Sequence, residues 1–180
     1  KTYTYALIPK EVQAKVSLNR NEYDAIISTP VEKIVLTSTT HIPALEELGL
    51  LDKLVGFPDT KYISSKAARK RIEAGQIQEL GINENLNTEA VIALQPELIF
   101  GFSINGSNAV YETIQRANIP VVYNGDWVEE TPLGKAEWIK FFAPFFNKTN
   151  EANLIFTEIE ASYLEAKELA AKATKRPTVV

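Results

Sequence analysis

The stretch "IVLTSTTHIPALEELG" (residues 34–49) decides how the chain is read. It opens on apolar and β-branched residues, the composition of a strand buried on both faces. Four hydroxyl residues follow, Thr37, Ser38, Thr39 and Thr40, and then a short helical pattern stopped by Gly49. Ser38, Thr39 or Thr40 can cap that helix, Pro43 suits its first turn, and Gly49 suits the C′ position, where φ is often positive. His41 is the one histidine of the chain. An imidazole at a strand-to-helix turn has two explanations: a ligand contact, or a helix-start residue.

Outward from this unit the same rhythm repeats. "KLVGF" (53–57), "ELIFGF" (97–102) and "IPVVYN" (119–124) read as short buried strands. "SSKAARKRIEAG" (64–75), "NTEAVIALQP" (87–96) and "SNAVYETIQRAN" (107–118) read as capped helices. "TYTYALIP" (2–9) alternates as a half-buried strand does, and residues 10–30 are mixed and polar up to Pro30. Thr131 and Pro132 open a helix over 133–146 that Pro144 kinks or ends. Its aromatics at 138, 141, 142, 145 and 146 have helical spacing and are expected in the core or against the long helix that follows.

Residues 150–173 hold no glycine or proline, and Leu154, Ile155, Ile159, Tyr163, Ala166 and Leu169 keep a helical period. Such a helix is about 36 Å long at about 1.5 Å per residue. "RPTVV" (176–180) then begins a new β-run. Short buried strands alternating with helices predict an α/β fold: a parallel sheet flanked by helices, one Rossmann-like lobe followed by a long linker helix. The expected divisions are an N-terminal extension with a strand (1–30), an α/β lobe (31–148), the linker helix (149–174), and the first strand of a C-terminal lobe (175–180).

Composition narrows the chemistry. The 180 residues are 45% apolar and 23% charged, with a net charge of −4. No basic stripe exists to neutralise phosphates, so nucleic acid is not the expected partner. No apolar run approaches the roughly 20 residues that cross a bilayer, and the first residues do not read as a signal peptide. The absence of cysteine removes thiolate nucleophiles, disulfides and cysteine-based metal sites. No G-x-S-x-G elbow, no G-x-x-x-x-G-K-[ST] loop and no G-x-G-x-x-G turn is present. One histidine makes a bare-ion zinc site unlike the usual multi-histidine set. Glu129 and Glu130, adjacent beside Trp127, read as a solvated loop with a capping acid rather than an acid/base pair.

In parallel α/β sheets, ligands gather where the strands end. Those ends are the segments Thr37 to His41, Pro58 to Tyr62, Gly81 to Asn87, Ser103 to Gly106 and Asn124 to Glu130. They are rich in hydroxyls, amides and aromatics. Tyr62, Phe102 and Trp127 each follow a strand and could grip a planar or bulky chelate; under a loop they would be satellite core. Thr39, Thr40 and the N–H groups opening the helix at His41 suit an anion. Asn85, Ser103 and Asn105 are polar and loop-placed, and turn chemistry accounts for the asparagines equally well. These features describe a platform that holds something.

The order strand–"STTH"–helix–"LGLLDKLVGF", "LNTEAVIALQPELIFG", "IQRANIPVVY", then a long helix into a strand, resembles the class III substrate-binding proteins of ABC importers for siderophores, haem and cobalamin. The stretch "GDWVEETPLGKAEWIKFFAPFFNK" is similar to their iron-complex receptors. The resemblance covers residues 31–180 and implies two α/β lobes joined by a rigid helix, with ligand clamped between them. It implies a receptor, not an enzyme, without a cofactor, that carries an iron chelate or haem to a membrane permease; a corrinoid is the alternative cargo, and a chelatase-like enzyme acting on tetrapyrroles a more distant one. It places the protein in the periplasm or on the outer face of the cytoplasmic membrane, where a lipid anchor in a longer chain is compatible with it. In that family a surface glutamate in the N-x-E-x-(I/V) motif docks on permease arginines. The matching residue is Glu89, which also suits the first turn of its helix on dipole grounds alone. His41 is then expected on the cleft rim, within reach of a bound chelate.

Overall fold

The computed structural model describes residues 2–83, 85–102 and 108–174. Five parallel strands form the sheet, in the order β5-β4-β3-β8-β9. They are β3 (Ile34–Leu36), β4 (Leu54–Phe57), β5 (Gln78–Glu79), β8 (Leu98–Gly101) and β9 (Val121–Tyr123). Helices α1 (Ile42–Glu47), α2 (Lys66–Glu73), α3 (Thr88–Leu94) and α4 (Ala109–Arg116) make the crossovers, so the fold is α/β as its sequence rhythm implies.

The central strands explain why their sequence is an unbroken apolar run. Ile34 and Leu36 face one core and Val35 the other; Leu98 and Phe100 face the first, and Ile99 the second. A strand alternates its side chains, so with helices on both faces every position must be apolar. Phe100 lies at the centre of the first core, with the rings of Phe142 and Phe145 each 5.0 Å away. Those rings come from the aromatic segment after Thr131. It is not one helix but α5 (Pro132–Glu137), α6 (Ile139–Phe142) and a 3-10 turn, Ala143–Phe146, opened by the proline predicted to break it.

The first 30 residues are more ordered than their polar composition suggests. Strand β1 (Tyr5–Pro9) pairs in parallel with β2 (Ala25–Thr29), a strand that sequence reasoning passed over. This ribbon reaches the open edge of the main sheet: the Tyr123 N–H on β9 donates to the Tyr5 phenol oxygen at 2.9 Å. Tyr3 stacks on the Tyr123 ring at 4.6 Å. An unpaired edge N–H is thereby satisfied by a side chain.

A short antiparallel hairpin, β6 (Gly81–Ile82) and β7 (Asn85–Leu86), occupies a segment expected to be loop. Helix α7 (Thr149–Ala171) is the long helix, anchored by the buried Ala152 and Phe156. Beyond Phe156 only Glu160 is part-buried; its apolar Ile159, Tyr163, Leu164 and Leu169 are exposed. The β-run at 175–180 lies outside the described residues.

Candidate functional site

The sheet reverses its winding between β3 and β8: strands β4 and β5 lie to one side, β9 to the other. Loops leaving such a switch point run apart and leave a crevice at the carboxyl ends of the strands. Here that crevice is a cleft of about 250 Å³. Thr37, Ser38 and Thr39 lie at the end of β3, Pro58 and Asp59 after β4, Asn83 in the β6–β7 turn, and Phe102 after β8.

Its floor is a hydrogen-bond junction. The Thr37 hydroxyl accepts the Phe102 N–H at 2.9 Å and donates to the Phe100 carbonyl at 3.3 Å. The phenol oxygen of Tyr111, on α4, lies 3.0 Å from the Thr37 hydroxyl, 3.0 Å from Asn83 Oδ1 and 3.2 Å from the Phe102 carbonyl. Tyr111 itself is fully buried. Gly101 lets it approach, since a Cβ there would sit 2.9 Å from Val121 and 3.1 Å from the Tyr111 ring. Three loops of the cleft are thus tied to one side chain, which the sequence placed only within a capped helix over 107–118.

The wall after β4 rests on Glu79. Its carboxylate accepts the N–H groups of Asp59, Thr60 and Gly81 and the Thr60 hydroxyl. Burial pushes the carboxyl up, but these hydrogen bonds outweigh it and hold Glu79 below the usual carboxylate range. Asp59 takes a left-handed backbone (φ 50°), which aspartate tolerates better than most residues, and pairs with Lys61 at 3.2 Å.

Aromatic side chains flank the opening. Tyr62, 67% exposed, lines the cleft with its face under the Lys61 ammonium at 4.9 Å. Opposite it, Phe102 meets Trp127 edge-on with ring centroids 5.7 Å apart. Trp127 is 44% exposed. Large exposed apolar surface on both sides of a crevice is the pattern of a site for a bulky, partly apolar ligand.

The remaining predicted residues fall differently. His41 is not on the rim: it is 0% exposed, packs on the Phe142 ring at 5.4 Å, and has its Nε2 3.6 Å from an Asp126 oxygen. Its position at the end of a 3-10 turn (Thr39–His41) turns the side chain inward, onto the first core. Thr39 does line the cleft. Thr40 lines a smaller groove on the far side of α1, and the anion position expected around it is already taken. Its N–H donates to the Ser38 hydroxyl at 3.4 Å, and its own hydroxyl donates to the Asp126 carboxylate at 3.0 Å. Asp126, buried, is held in turn by its N–H bond to Asn124 Oδ1 at 2.7 Å. Asn85 is an exposed strand residue of the hairpin, and its neighbour Asn83 is the one that lines the cleft. Ser103 and Asn105 lie outside the described residues. Glu89 is exposed in the first turn of α3, whose cap is the Asn87 side chain accepting the Ala90 N–H at 3.0 Å. Among the described residues no group of three or more His, Cys, Asp or Glu side chains could hold a metal ion.

Comparisons with known proteins agree with the fold. A family model described as periplasmic binding protein matches residues 34–180. An uncharacterized lipoprotein of Methanocaldococcus jannaschii is 26% identical over 148 residues, 78% of this chain and 35% of the relative. A petrobactin-binding protein from Bacillus subtilis superposes with a TM-score of 0.63 at 18% identity, covering 83% of this chain and 50% of that one. A periplasmic vitamin B12 binding protein of Vibrio cholerae gives 0.56 at 14% identity, covering 79% and 52%. At those identities the structures speak to the fold. The chain spans about a third of that curated relative and about half of each of these structures.

Proposed function

Because the chain belongs to the periplasmic binding protein family, we propose that it forms the N-terminal lobe of a two-lobed receptor that captures a bulky metal chelate outside the cytoplasm and presents it to a membrane permease. The cargo class is an iron complex, a ferric siderophore or haem, with a corrinoid as the alternative. The observation that carries this reading is the cleft at the β3/β8 switch point, flanked by exposed Tyr62 on one side and the Phe102–Trp127 pair on the other. A half-site of this kind needs a second wall. The exposed outer turns of α7, with Ile159, Tyr163 and Leu169 unshielded, suit a rigid spacer to a second lobe that supplies it. A continuous helix has few soft dihedrals, so the two lobes would close only slightly on the ligand.

Glu89 is the docking residue of this reading. Helix α3 runs back against the parallel strands, so its first turn lies at the end of the sheet that holds the cleft. An exposed carboxylate there can meet arginines of a permease while ligand is bound. Charge pairs of this kind set encounter rate and orientation more than affinity. The test is uptake of radiolabelled chelate by cells carrying Glu89→Arg in the whole protein. Import falls by about tenfold or more while chelate affinity of the purified variant is unchanged; normal uptake removes Glu89 from the docking surface.

A further inference from the structure

A second cavity lies beside the cleft. It is a groove of about 130 Å³ between α1, the α5–α6 segment and α7. Pro43, Ala136, Ile139, Phe142 and Ile159 make it largely apolar. Trp138 adds an indole, a ring whose face attracts ammonium groups. Whole small-molecule ligands fill roughly 300 Å³ or more, so this groove suits a side arm and not a chelate.

The groove holds one buried polar group, the Asp126 carboxylate, whose side chain is 9% exposed. A carboxylate has acceptor sites for about four hydrogen bonds. Among the described residues this side chain receives one, from the Thr40 hydroxyl at 3.0 Å. His41 Nε2 stands 3.6 Å away, beyond hydrogen-bond reach, and neither ring nitrogen has a protein partner. Glu47 and Lys135, both exposed, line the same groove and offset each other in sign. Among the described residues no lysine or arginine pairs with Asp126. A buried carboxylate with spare acceptors and no cation beside it is costly, and an ammonium meets that need best.

The turns that build this groove also build the cleft. Thr39 lines the cleft and Thr40 the groove. Asp126 lines the groove, and Trp127 beside it packs on Phe102 of the cleft. A ligand in the cleft is thus separated from Asp126 by these turns alone. We infer that the groove is a subsite for a protonated amine on an alkyl arm of the chelate held in the cleft. The ammonium meets Asp126, and the alkyl chain lies along the apolar wall. The inference rests on the reading of the cleft as a ligand site and adds one chemical group that its cargo carries.

The test is isothermal titration of the whole protein with two hydroxamate chelates, ferrioxamine B, whose alkyl arm ends in an ammonium, and its N-acetyl derivative, which keeps the arm and loses the charge. Cyanocobalamin, which has no ammonium arm, is titrated alongside. Ferrioxamine B is expected to bind at least about tenfold more tightly than the N-acetyl derivative. Asp126→Asn keeps an acceptor for Thr40 and is expected to bring the two within about twofold of each other. Ile159→Lys, at an exposed position of α7, sets an ammonium at the groove without touching the Asp126 hydrogen bonds; it narrows the gap in the same way and carries the test if Asp126→Asn does not fold. Equal binding of the two hydroxamates by the unaltered protein overturns the inference and leaves the receptor reading intact. So does a gap that the variants preserve. If neither hydroxamate binds, the inference falls. Cyanocobalamin then decides the receptor reading: its binding keeps that reading, and its failure to bind removes both.

Discussion

Glu79 is the single residue on which the Pro58–Tyr62 wall of the cleft most depends. It accepts three backbone N–H groups, one of which, that of Asp59, is shared with the Gly81 carbonyl. Its folded pKa lies below the ordinary value of 4.5, so its contribution is present above about pH 4.5 and is lost as pH falls through the depressed value. Glu79→Gln keeps the shape and removes the charge. It is expected to move the acid limb of a pH-unfolding curve to higher pH and to leave stability near neutrality lowered by about 1 kcal/mol; an unmoved acid limb would mean the loop is held by something else.

Residue identities were legible to very different degrees. Tyr62, Phe102 and Trp127 could be picked from their places just past strands; Tyr62 and Phe102 line the cleft, and Trp127 packs on Phe102. His41 could not be placed, because helical phase decides whether a side chain at a strand-to-helix turn faces out or in. The 3-10 turn before α1 rotates it onto Phe142. Tyr111 and Asn83 could not be found at all. Their role comes from α4 and the β6–β7 turn meeting β3, contacts separated by 74 and 28 residues in the chain. Tyr111→Phe removes the one phenol that joins Thr37, Asn83 and Phe102. Faster amide exchange is expected at Phe102 and in the Asn83 turn, with helix α4 still protected; unchanged exchange at both loops would show that the junction holds without it.

At the scale of elements, strong period and cap signals placed the central strands and the helices within a few residues. Pro144 opens a 3-10 turn after α6, so the aromatic run does not continue as α-helix. What was missed, β2, β5 and the β6–β7 hairpin, is short, and its order comes from pairing rather than from composition. Strand β2 contains "AIIST" after a polar stretch, and only β1 beside it makes it a strand. The β1–β2 ribbon in turn protects the edge of β9 through Tyr5. Burial, partly opposed by the Tyr123 N–H, pushes the Tyr5 phenol up to about 12. A raised folded pKa stabilises below the unfolded value of about 10, and the effect is lost as pH rises towards 12. Urea titrations are therefore expected to show stability falling between about pH 10 and 12, and Tyr5→Phe to cost about 1 kcal/mol at neutral pH and to abolish most of that alkaline slope. A slope that survives in the variant would assign it to another group.

For the whole molecule, the two-sided core and the switch point do the organising. Helices on both faces force the apolar runs at β3 and β8, and the same winding opens the cleft between their ends. Fold and the position of the cleft are therefore legible together, while on the proposed reading ligand identity is not, since a second lobe would supply the other walls of the site. The most direct measurement is the affinity of the whole protein for cyanocobalamin and ferrioxamine B before and after Tyr62→Ala. Tyr62 is largely exposed, so its truncation leaves the core untouched. The predicted result is a loss of about tenfold in affinity with an unchanged melting temperature. Unchanged affinity for a chelate that the unaltered protein binds would contradict the placement of the ligand in this cleft.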